Sequence, residues 1–400
     1  MKKFIKYRLC FTKQFSSLIW ISLLLIAFLA SGSQSFSQEL TKEEKKARRR
    51  AKKQEKIDKG KLMITPLAGP AYTPELEFTL AGGILISFKT NPKDTLIQRS
   101  SSPLMLGVST TGAFFFGTKL TSFWRRDTWR IYADINFKNM PDNYYGVGYD
   151  NGLNTPRGDS TTAYTRTWFQ FFPKFLYQFK KHHFIGPNLD INYTKGSEAS
   201  PGVVSDEYYQ KYNERPFNTG LGVVYQYDSR DIPVNAWKGW YLEVLANFYG
   251  GYLGGDNNYQ LLSIDYRNYW RIRRDGRTFA LQARGRFTNG DVPYGEMSQL
   301  GTPFDLRAYR WGQYRHESML YFIGEYRHQF AKSDGSLSKS GFVVWVGGGT
   351  LGETIGEFNK WLPNGGIGYR FEVQPRMNLR LDVGFGKQAR GFYFNFNEAF

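Results

Sequence analysis

The stretch Gly391-Phe392-Tyr393-Phe394-Asn395-Phe396-Asn397-Glu398-Ala399-Phe400 alternates aromatic with mostly polar residues. In a β-strand, a period of two places Phe392, Phe394 and Phe396 on one face and the intervening residues on the other. The segment before it, 379–386, shows the same alternation. Such strands in series, with an aromatic residue at position 400, are typical of a transmembrane β-barrel with an apolar outside and a polar lumen.

Composition supports a barrel that crosses the membrane with strands. Aromatic residues make up 18% of the 400 residues and there are 42 glycines, yet the mean hydropathy is −0.49. A helical membrane protein of this length would show several long apolar runs, whereas a barrel strand needs an apolar residue only at alternate positions. We therefore predict an all-β fold, a 16-stranded antiparallel transmembrane β-barrel.

Alternating segments and turn signals predict where the strands lie. We expect them near 62–72, 77–90, 102–112, 114–124, 128–140, 161–180, 182–195, 216–229, 237–250, 258–274, 277–289, 314–330, 340–350, 364–374, 378–388 and 390–400. Their charged residues fall on one face, as Asp265, Arg267 and Arg284 do. A charge on the lipid face costs about 2–4 kcal/mol near the midplane, so this face should line the lumen. A large soluble β-sandwich could also present one polar face.

The amino terminus predicts export and favours the barrel over the sandwich. Five basic residues precede an apolar run at 18–30, and Ser35-Phe36-Ser37 supplies small residues for a cleavage site. A membrane-anchoring helix is the alternative, but the run is shorter than the ~20 residues that a span needs. We expect a signal peptide at 1–37, a short basic periplasmic segment at 38–61 and an outer-membrane β-barrel domain at 62–400.

The basic segment bears on possible partners. Residues 38–61 hold eleven Lys/Arg and five Asp/Glu, a net charge of +6 out of +18 for the chain. The segment offers almost no apolar face, so we expect a solvated helix or a disordered tether. Binding to anionic lipid head groups or to an acidic partner is the alternative. Nucleic acid is not expected as a partner behind a signal peptide.

Few residues suggest catalysis. The single cysteine, Cys10, precedes the apolar run, so the mature chain would lack thiol chemistry and Cys-ligated metals. The four histidines are not spaced with a serine and an acid as a triad would require. Gly347-Gly348-Gly349 lacks the lysine and the helix of a phosphate loop and instead indicates a kink or a close approach. We predict no cofactor, no metal and no enzymatic activity.

Two motifs narrow the family. One is Tyr227-Asp228-Ser229-Arg230-Asp231, followed by Pro233 and Gly239-Trp240-Tyr241-Leu242. The other is Leu306-Arg307-Ala308-Tyr309, in the long loop before strand twelve, followed by Gly324-Glu325-Tyr326-Arg327. In this order on sixteen predicted strands, the motifs resemble the BamA/TamA superfamily of outer-membrane assembly barrels, also called bacterial surface antigens. The resemblance covers 62–400.

The resemblance implies a loop that is fixed inside the lumen. In that family the sixth outer loop folds back into the barrel, and its arginine pairs with acids of the wall. Arg307 matches the loop arginine and Glu325 the acid of strand twelve, and a guanidinium fork suits a carboxylate in a partly dry lumen. Ala308 stands where glycine is usual, and Val346 stands where a second acid is common. We therefore expect Arg307 to be held from one side only.

The resemblance also implies a role in envelope biogenesis. Family members that insert or secrete proteins usually carry periplasmic POTRA domains. Only 24 residues, almost all of them polar, lie between the mature start at Gln38 and the first strand at Leu62, too few for a domain with its own core. We expect a barrel without POTRA domains that helps protein or lipid to insert or move, with outer-membrane lipids and other outer-membrane or periplasmic proteins as partners. A passive channel or porter, or a structural subunit of an outer-membrane complex, are the alternatives.

The first and last strands should form the weakest junction of the wall. Pro66 and Pro70 have no N–H to donate, Gly69 weakens strand one, and Gly391 lies near the start of strand sixteen. Each missing ladder bond matters more in lipid, where no water replaces it. We predict a seam there, with Phe400 closing the last strand. The alternative is that both prolines lie outside the paired region.

Overall fold

The computed structural model describes residues 59–73, 77–94, 97–374 and 376–400, and four helical residues, Glu44, Arg48, Ala51 and Glu55. These four are exposed and belong to a unit at 1–55, whereas the barrel lies in a compact unit at 56–400. The predicted signal peptide, 1–37, and much of the basic segment lie outside the described residues. None of the helices described is both long and apolar enough to cross a membrane.

Sixteen strands form one sheet in which sequence neighbours are hydrogen-bonded and antiparallel. They are β1 (Met63–Thr73), β2 (Glu77–Phe88), β3 (Ser100–Ser109), β4 (Phe114–Trp124), β5 (Trp129–Asn143), β6 (Ala163–Lys180), β7 (His183–Ser197), β8 (Phe217–Asp228), β9 (Gly239–Tyr249), β10 (Tyr259–Arg271), β11 (Arg277–Gly290), β14 (Ser318–Ala331), β15 (Leu337–Gly352), β16 (Trp361–Gln374), β17 (Met377–Gly386) and β18 (Ala389–Phe396). The fold is all-β, and the sixteen-stranded antiparallel barrel predicted from the sequence is confirmed.

A short hairpin interrupts the predicted twelfth strand. β12 (Ser298–Leu300) pairs with β13 (Tyr314–His316) in a separate two-stranded sheet. The wall strand β14 therefore begins at Ser318 rather than at 314. Alternation alone could not separate β13 from β14, because both strands have the same period and only Glu317 lies between them.

The two faces of the wall differ as a membrane barrel requires. Outward side chains are apolar and exposed, such as Leu80 (61% exposed), Val346 (70%) and Ile367 (61%). The inward positions carry charges, and Arg380 and Asp382 are fully buried. Apolar residues can face lipid while charged residues face a lumen filled by protein, which is the arrangement that the alternating sequence predicts.

The connections at the two ends of the barrel differ in length. At one end, the turn end, the links at 125–128, 181–182 and 272–276 are short. At the other end, the loop end, long loops carry the helices α1 (Tyr149–Asn154), α2 (Pro201–Val204) and α3 (Glu207–Tyr212) and the β12–β13 hairpin. Residues 291–317, which join β11 to β14, form the longest of these loops, called L6 below.

Candidate functional site

L6 enters the lumen and packs against the inner wall. Its buried residues Leu300, Leu306 and Tyr309 belong to one apolar cluster with Tyr321 of β14 and Trp345 of β15. At the tip of L6, the Asp305 carboxylate accepts hydrogen bonds from the backbone N–H of Gly301 at 2.9 Å and of Thr302 at 2.7 Å. These bonds close the turn that presents the next residues of L6 to the wall.

Arg307 is the polar anchor of L6, and its side chain is fully buried. It donates through Nη1 to Asp382 Oδ2 at 3.0 Å and through Nη2 to Glu325 Oε1. The guanidinium also lies 3.7 Å from the centre of the Trp345 ring. The two carboxylates neutralise the guanidinium and the ring stacks on its face, which offsets the cost of burying the cation.

The contact between Arg307 and Glu325 was expected from the sequence, but the one-sided arrangement was wrong. The second acid is Asp382 of β17, and the side chain of Val346 is exposed on the outward face. Val346 is adjacent to Trp345, which faces the lumen, so no residue at position 346 could reach Arg307 from β15. Ala308 is buried, and its φ is not positive, so a glycine is not required there.

The backbone of L6 comes close to the wall at two glycines. A Cβ on Gly384 of β17 would lie 1.4 Å from the carbonyl oxygen of Arg307, so no larger residue fits there. That oxygen also accepts a hydrogen bond from Asn364 Nδ2 at 3.1 Å. A Cβ on Gly349 would lie 3.0 Å from Leu306. The close approach that Gly347-Gly348-Gly349 indicated is therefore the approach of L6 to β15.

The ion pairs extend from Arg307 along the inner wall. Asp382 Oδ1 accepts from Arg370 Nη1 at 2.6 Å, and Arg370 Nε donates to Glu398 Oε2 at 2.8 Å. On the other side, Glu325 Oε2 accepts from Arg327 Nε at 2.9 Å. Of this network, only Arg307 and Glu325 were predicted as partners from the sequence. Asp382 and Arg370 carried a signal, since alternation placed both on the lumen face.

The structure corrects the predicted role of Phe400. β18 ends at Phe396, and Phe400 lies outside the strand, 6% exposed, inside the barrel at its turn end. Its ring centre lies 6.4 Å from that of Tyr269, and its backbone oxygen accepts from Arg327 Nη2 at 3.0 Å. Phe400 therefore does not extend the lipid-facing aromatic row of β18.

The junction of β1 and β18 has no backbone ladder among the described residues, although the two strands lie side by side. Pro66, Gly69 and Pro70 lie within β1 and are paired with Ile84, Ala81 and Leu80 of β2. Both prolines therefore lie within the β1–β2 ladder, whereas the alternative stated above concerns pairing with the last strand.

Gly391 is the third residue of β18, close to its start as predicted, and lies opposite Gly384 of β17. A Cβ on Gly391 would lie 2.7 Å from the ring of Tyr393. Gly391 thus leaves room for the Tyr393 ring, whose hydroxyl donates to the backbone oxygen of Tyr309 at 3.1 Å. Through Tyr393, the last strand holds L6 directly.

Tyrosines at the loop end join L6 to the neighbouring loops. The rings of Tyr144, Tyr164, Tyr209 and Tyr294 lie together, with Tyr144 and Tyr294 centred 5.4 Å apart. Arg315, fully buried, donates to the backbone oxygen of Tyr294 at 3.2 Å and lies over the Tyr144 ring. L6 is therefore fixed at the loop end as well as at Arg307.

An ion pair adds a polar link between α3 and L6. Lys211 Nζ lies 2.8 Å from Asp291 Oδ1, and Tyr212 donates its hydroxyl proton to the same carboxylate at 2.8 Å. The hydrogen bond with Asp291 raises the pKa of Lys211 to about 12. Lys211 is largely exposed, so this pair contributes little to stability in water.

No cluster of side chains suited to a metal occurs in the part of the chain that the structure describes.

The motif at 227–231 has a structural role at the turn end, where Asp228 accepts from Arg130 at 2.9 Å and pairs with Arg230 at 2.9 Å. Asp231 binds Arg376 of the β16–β17 turn at 2.7 Å. The motif thus fixes the β8–β9 connection to the wall.

Comparison with known proteins agrees with this architecture. The Omp85 superfamily domain matches residues 107–400. The chain belongs to the Omp85 superfamily. It is thus an outer-membrane β-barrel of the Gram-negative type, and its membership supports a general role in inserting proteins into the outer membrane or translocating them across it. No curated protein sequence matches the chain.

Solved structures show the same fold at low identity. BamA from Haemophilus ducreyi lacking POTRA domains 1–3 is 12% identical with a TM-score of 0.54, over 91% of this chain and 79% of that one. CdiB from Acinetobacter baumannii is 13% identical with a TM-score of 0.53, over 84% and 59%. CdiB from Escherichia coli is 10% identical with a TM-score of 0.54, over 84% and 61%. The chain spans about three fifths of the CdiB chains.

Proposed function

We propose that this Omp85 barrel serves outer-membrane biogenesis by letting protein or lipid insert or cross at the seam between β1 and β18. The seam is the one junction of neighbouring wall strands at which the described residues form no ladder. Fifteen pairs of neighbouring strands are joined, and each of these ladders satisfies backbone groups that lipid cannot. A substrate that enters the bilayer needs such an interruption in the wall.

The sequence of β1 keeps the seam weak. Pro66 and Pro70 lie within β1 and have no N–H to offer to either neighbour. Among the described residues β1 forms a ladder only with β2, so it is an edge strand, and an edge offers unpaired backbone groups to an incoming chain.

A passive channel is less consistent with the filled lumen. L6 packs against the inner wall below the tyrosines of the loop end, and Arg307 and Arg315 fix it at two levels. An open porter would need a continuous water-filled path past these buried side chains.

A cysteine crosslink across the seam tests the proposal. Cysteines on the lipid face of the two strands, at Ile64 of β1 and at Phe392 or Phe394 of β18, would tie β1 to β18. A matched pair at Leu80 and Val108 would tie β2 to β3, where the ladder is already closed. We expect the seam crosslink to reproduce the outer-membrane defects that depletion of the protein causes, and the control crosslink to leave the cells unaffected. Equal function of both crosslinked proteins would exclude opening at the seam.

A survey of outer-membrane proteins and lipids after depletion would identify the cargo. Loss of particular barrels or secreted proteins would indicate a protein substrate, whereas altered lipid asymmetry would indicate lipid. The partners proposed for the barrel are the outer-membrane lipids and other outer-membrane or periplasmic proteins. The basic segment 38–61 would add binding to anionic head groups or to an acidic partner.

A further inference from the structure

The residues after β18 leave the wall of the barrel. Asn397 has a φ of 63°, a left-handed conformation that ends the strand. The next three residues are buried, with Glu398 at 7%, Ala399 at 9% and Phe400 at 6% exposure. The segment 397–400, called the tail below, therefore lies inside the lumen instead of continuing along the lipid face.

The tail is bound by side chains of three wall strands. Glu398 accepts from Arg370 Nε at 2.8 Å and from Asn378 Nδ2 at 2.7 Å. The backbone oxygen of Phe400 accepts from Arg327 Nη2 at 3.0 Å, and the Arg327 guanidinium lies 4.8 Å from the centre of the Phe400 ring. Wall residues thus bind the tail as they would bind a peptide ligand with an acidic and an aromatic side chain.

The arginines that hold the tail also hold the acids that bind L6. Arg370 bonds Glu398 on one side and Asp382 on the other, and Asp382 pairs with Arg307. Arg327 bonds Phe400 and Glu325, and Glu325 also pairs with Arg307. Two separate chains of hydrogen bonds therefore run from Arg307 in L6 to the tail.

The balance of buried charge makes the positions of L6 and the tail depend on each other. Four buried arginines, Arg307, Arg327, Arg370 and Arg380, face three carboxylates, those of Glu325, Asp382 and Glu398. When the tail leaves, two carboxylates remain for four guanidinium groups. Unpaired buried charge is costly, so the arginines must rearrange, and Asp382 and Glu325 must move with them.

We propose that the tail is a latch that couples L6 to the end of β18. While the tail is bound, Arg327 and Arg370 hold Glu325 and Asp382 in place for Arg307. The bound tail also fixes the adjoining end of β18 to the wall. When either L6 or the tail is released, the other is bound less tightly. Because β18 borders the seam, the latch rests on the proposed function for its biological consequence, but the coupling itself does not depend on that function.

Two single-cysteine reporters measure the coupling. In a chain carrying Cys10→Ser, Ala399→Cys reports release of the tail and Ala308→Cys reports release of L6, since both alanines are buried and small. The rate of maleimide labelling of the folded protein in outer-membrane vesicles measures how often each site opens. Coupling is reciprocal, so a change at one end must appear at the other.

We expect Glu398→Gln to raise the labelling rate at position 308, and Arg307→Ala to raise it at position 399, each by roughly 5-fold or more. In each case the substituted residue and the labelled cysteine lie in different segments, one in the tail and the other in L6. The matched control is Glu243→Gln, which removes a lumen carboxylate paired with Lys174 at 2.8 Å. Its other hydrogen-bond partners, Gln226 and Tyr241, also lie outside L6 and the tail. It should leave both rates unchanged.

A milder variant guards against loss of folding. Asn378→Ala removes one hydrogen bond of Glu398 without leaving a charge unpaired, and we expect a smaller rise at both reporters. Folding of every variant is checked by its heat-dependent mobility in gels. If folded tail variants expose only position 399, and Arg307→Ala exposes only position 308, the latch is overturned. Since no transport step enters these measurements, a failed latch and a failed seam mechanism give different results.

Discussion

The carbonyl oxygen of Arg307 lies directly over Gly384, where a Cβ would come within 1.4 Å of it. L6 therefore packs directly on the backbone of β17, and its position depends on the absence of a side chain at Gly384 as well as on ion pairs. The anchor of L6 has two parts: a backbone contact that requires glycine and a guanidinium that requires two acids.

The first prediction follows from this contact. Gly384→Ala should lift the Arg307 segment of L6 from the wall, because the oxygen cannot move within the packed lumen without breaking its bond from Asn364. Proteolysis of intact cells should then cut within 291–317 faster than in the native protein. Gly82→Ala is the control, since a Cβ at Gly82 meets nothing within 4 Å, and it should leave the cleavage rate unchanged.

The second prediction concerns the pair formed by Arg307 and Glu325. Arg307→Ala and Glu325→Ala should each loosen L6, and each should destabilise the folded barrel by about 3–5 kcal/mol, since Arg307 neutralises two buried acids and Glu325 neutralises two buried arginines. The double variant should cost less than the sum of the two, with a coupling of about 0.5–3 kcal/mol in urea unfolding. Additive costs would show that the two side chains do not interact.

Arg307→Lys refines the second prediction. An ammonium has no fork that can bond Asp382 and Glu325 at once, and it stacks less well on Trp345. We expect this variant to keep the charge but to lose part of the protection of L6 against protease. Full protection in Arg307→Lys would mean that charge alone holds the loop.

The third prediction concerns Asp382, on which three buried arginines converge. Arg370 lies 2.6 Å from its carboxylate, Arg307 3.0 Å and Arg380 3.5 Å. Asp382→Ala should therefore destabilise the barrel more than Glu325→Ala, because Glu325 pairs with only two arginines, Arg307 and Arg327, and Arg307 keeps its bond to Asp382 when Glu325 is lost. The order of the two midpoints in urea unfolding tests this, and a lower midpoint for Glu325→Ala would contradict it.

The fourth prediction concerns conductance. Because L6 and the tyrosines at the loop end fill the lumen, the native barrel should show only small, flickering currents in planar bilayers. Arg315→Ala removes the donor to Tyr294 and the cation over Tyr144, so longer openings should follow. Lys195→Ala, which removes an exposed pair with Glu214, is the control. A large, steady current through the native protein would favour the porter.

The strands could be predicted because each wall residue faces either lipid or the polar lumen, and this decides whether it is apolar or polar. That constraint repeats every two residues, and it gave the number of strands and most of their ends. Arg307 and Glu325 could be paired because their motifs occur in order on the predicted strands. Asp382 could not be assigned, because alternation places an acid in the lumen without saying which arginine it faces.

The tail carried a signal that the aromatic pattern concealed. Counting by twos from Phe392, the lipid face would receive Phe394, Phe396 and then Glu398. A carboxylate is unfavourable in lipid, so the strand must end before position 398, and β18 does end at Phe396. Phe400 suggested that the strand continued to position 400, whereas Glu398 indicated that it ends earlier.

The order of the network along the chain has a consequence for synthesis and assembly. Arg307 is made before every acid that neutralises it, and its most distant partner, Asp382, lies 75 residues later. Until β14, β17 and the tail are in place, the loop carries a cation that a closing barrel cannot bury without cost. A chain that ends before residue 382 therefore cannot bind L6 stably in the lumen. Stable binding of L6 is thus evidence that the last strands have formed.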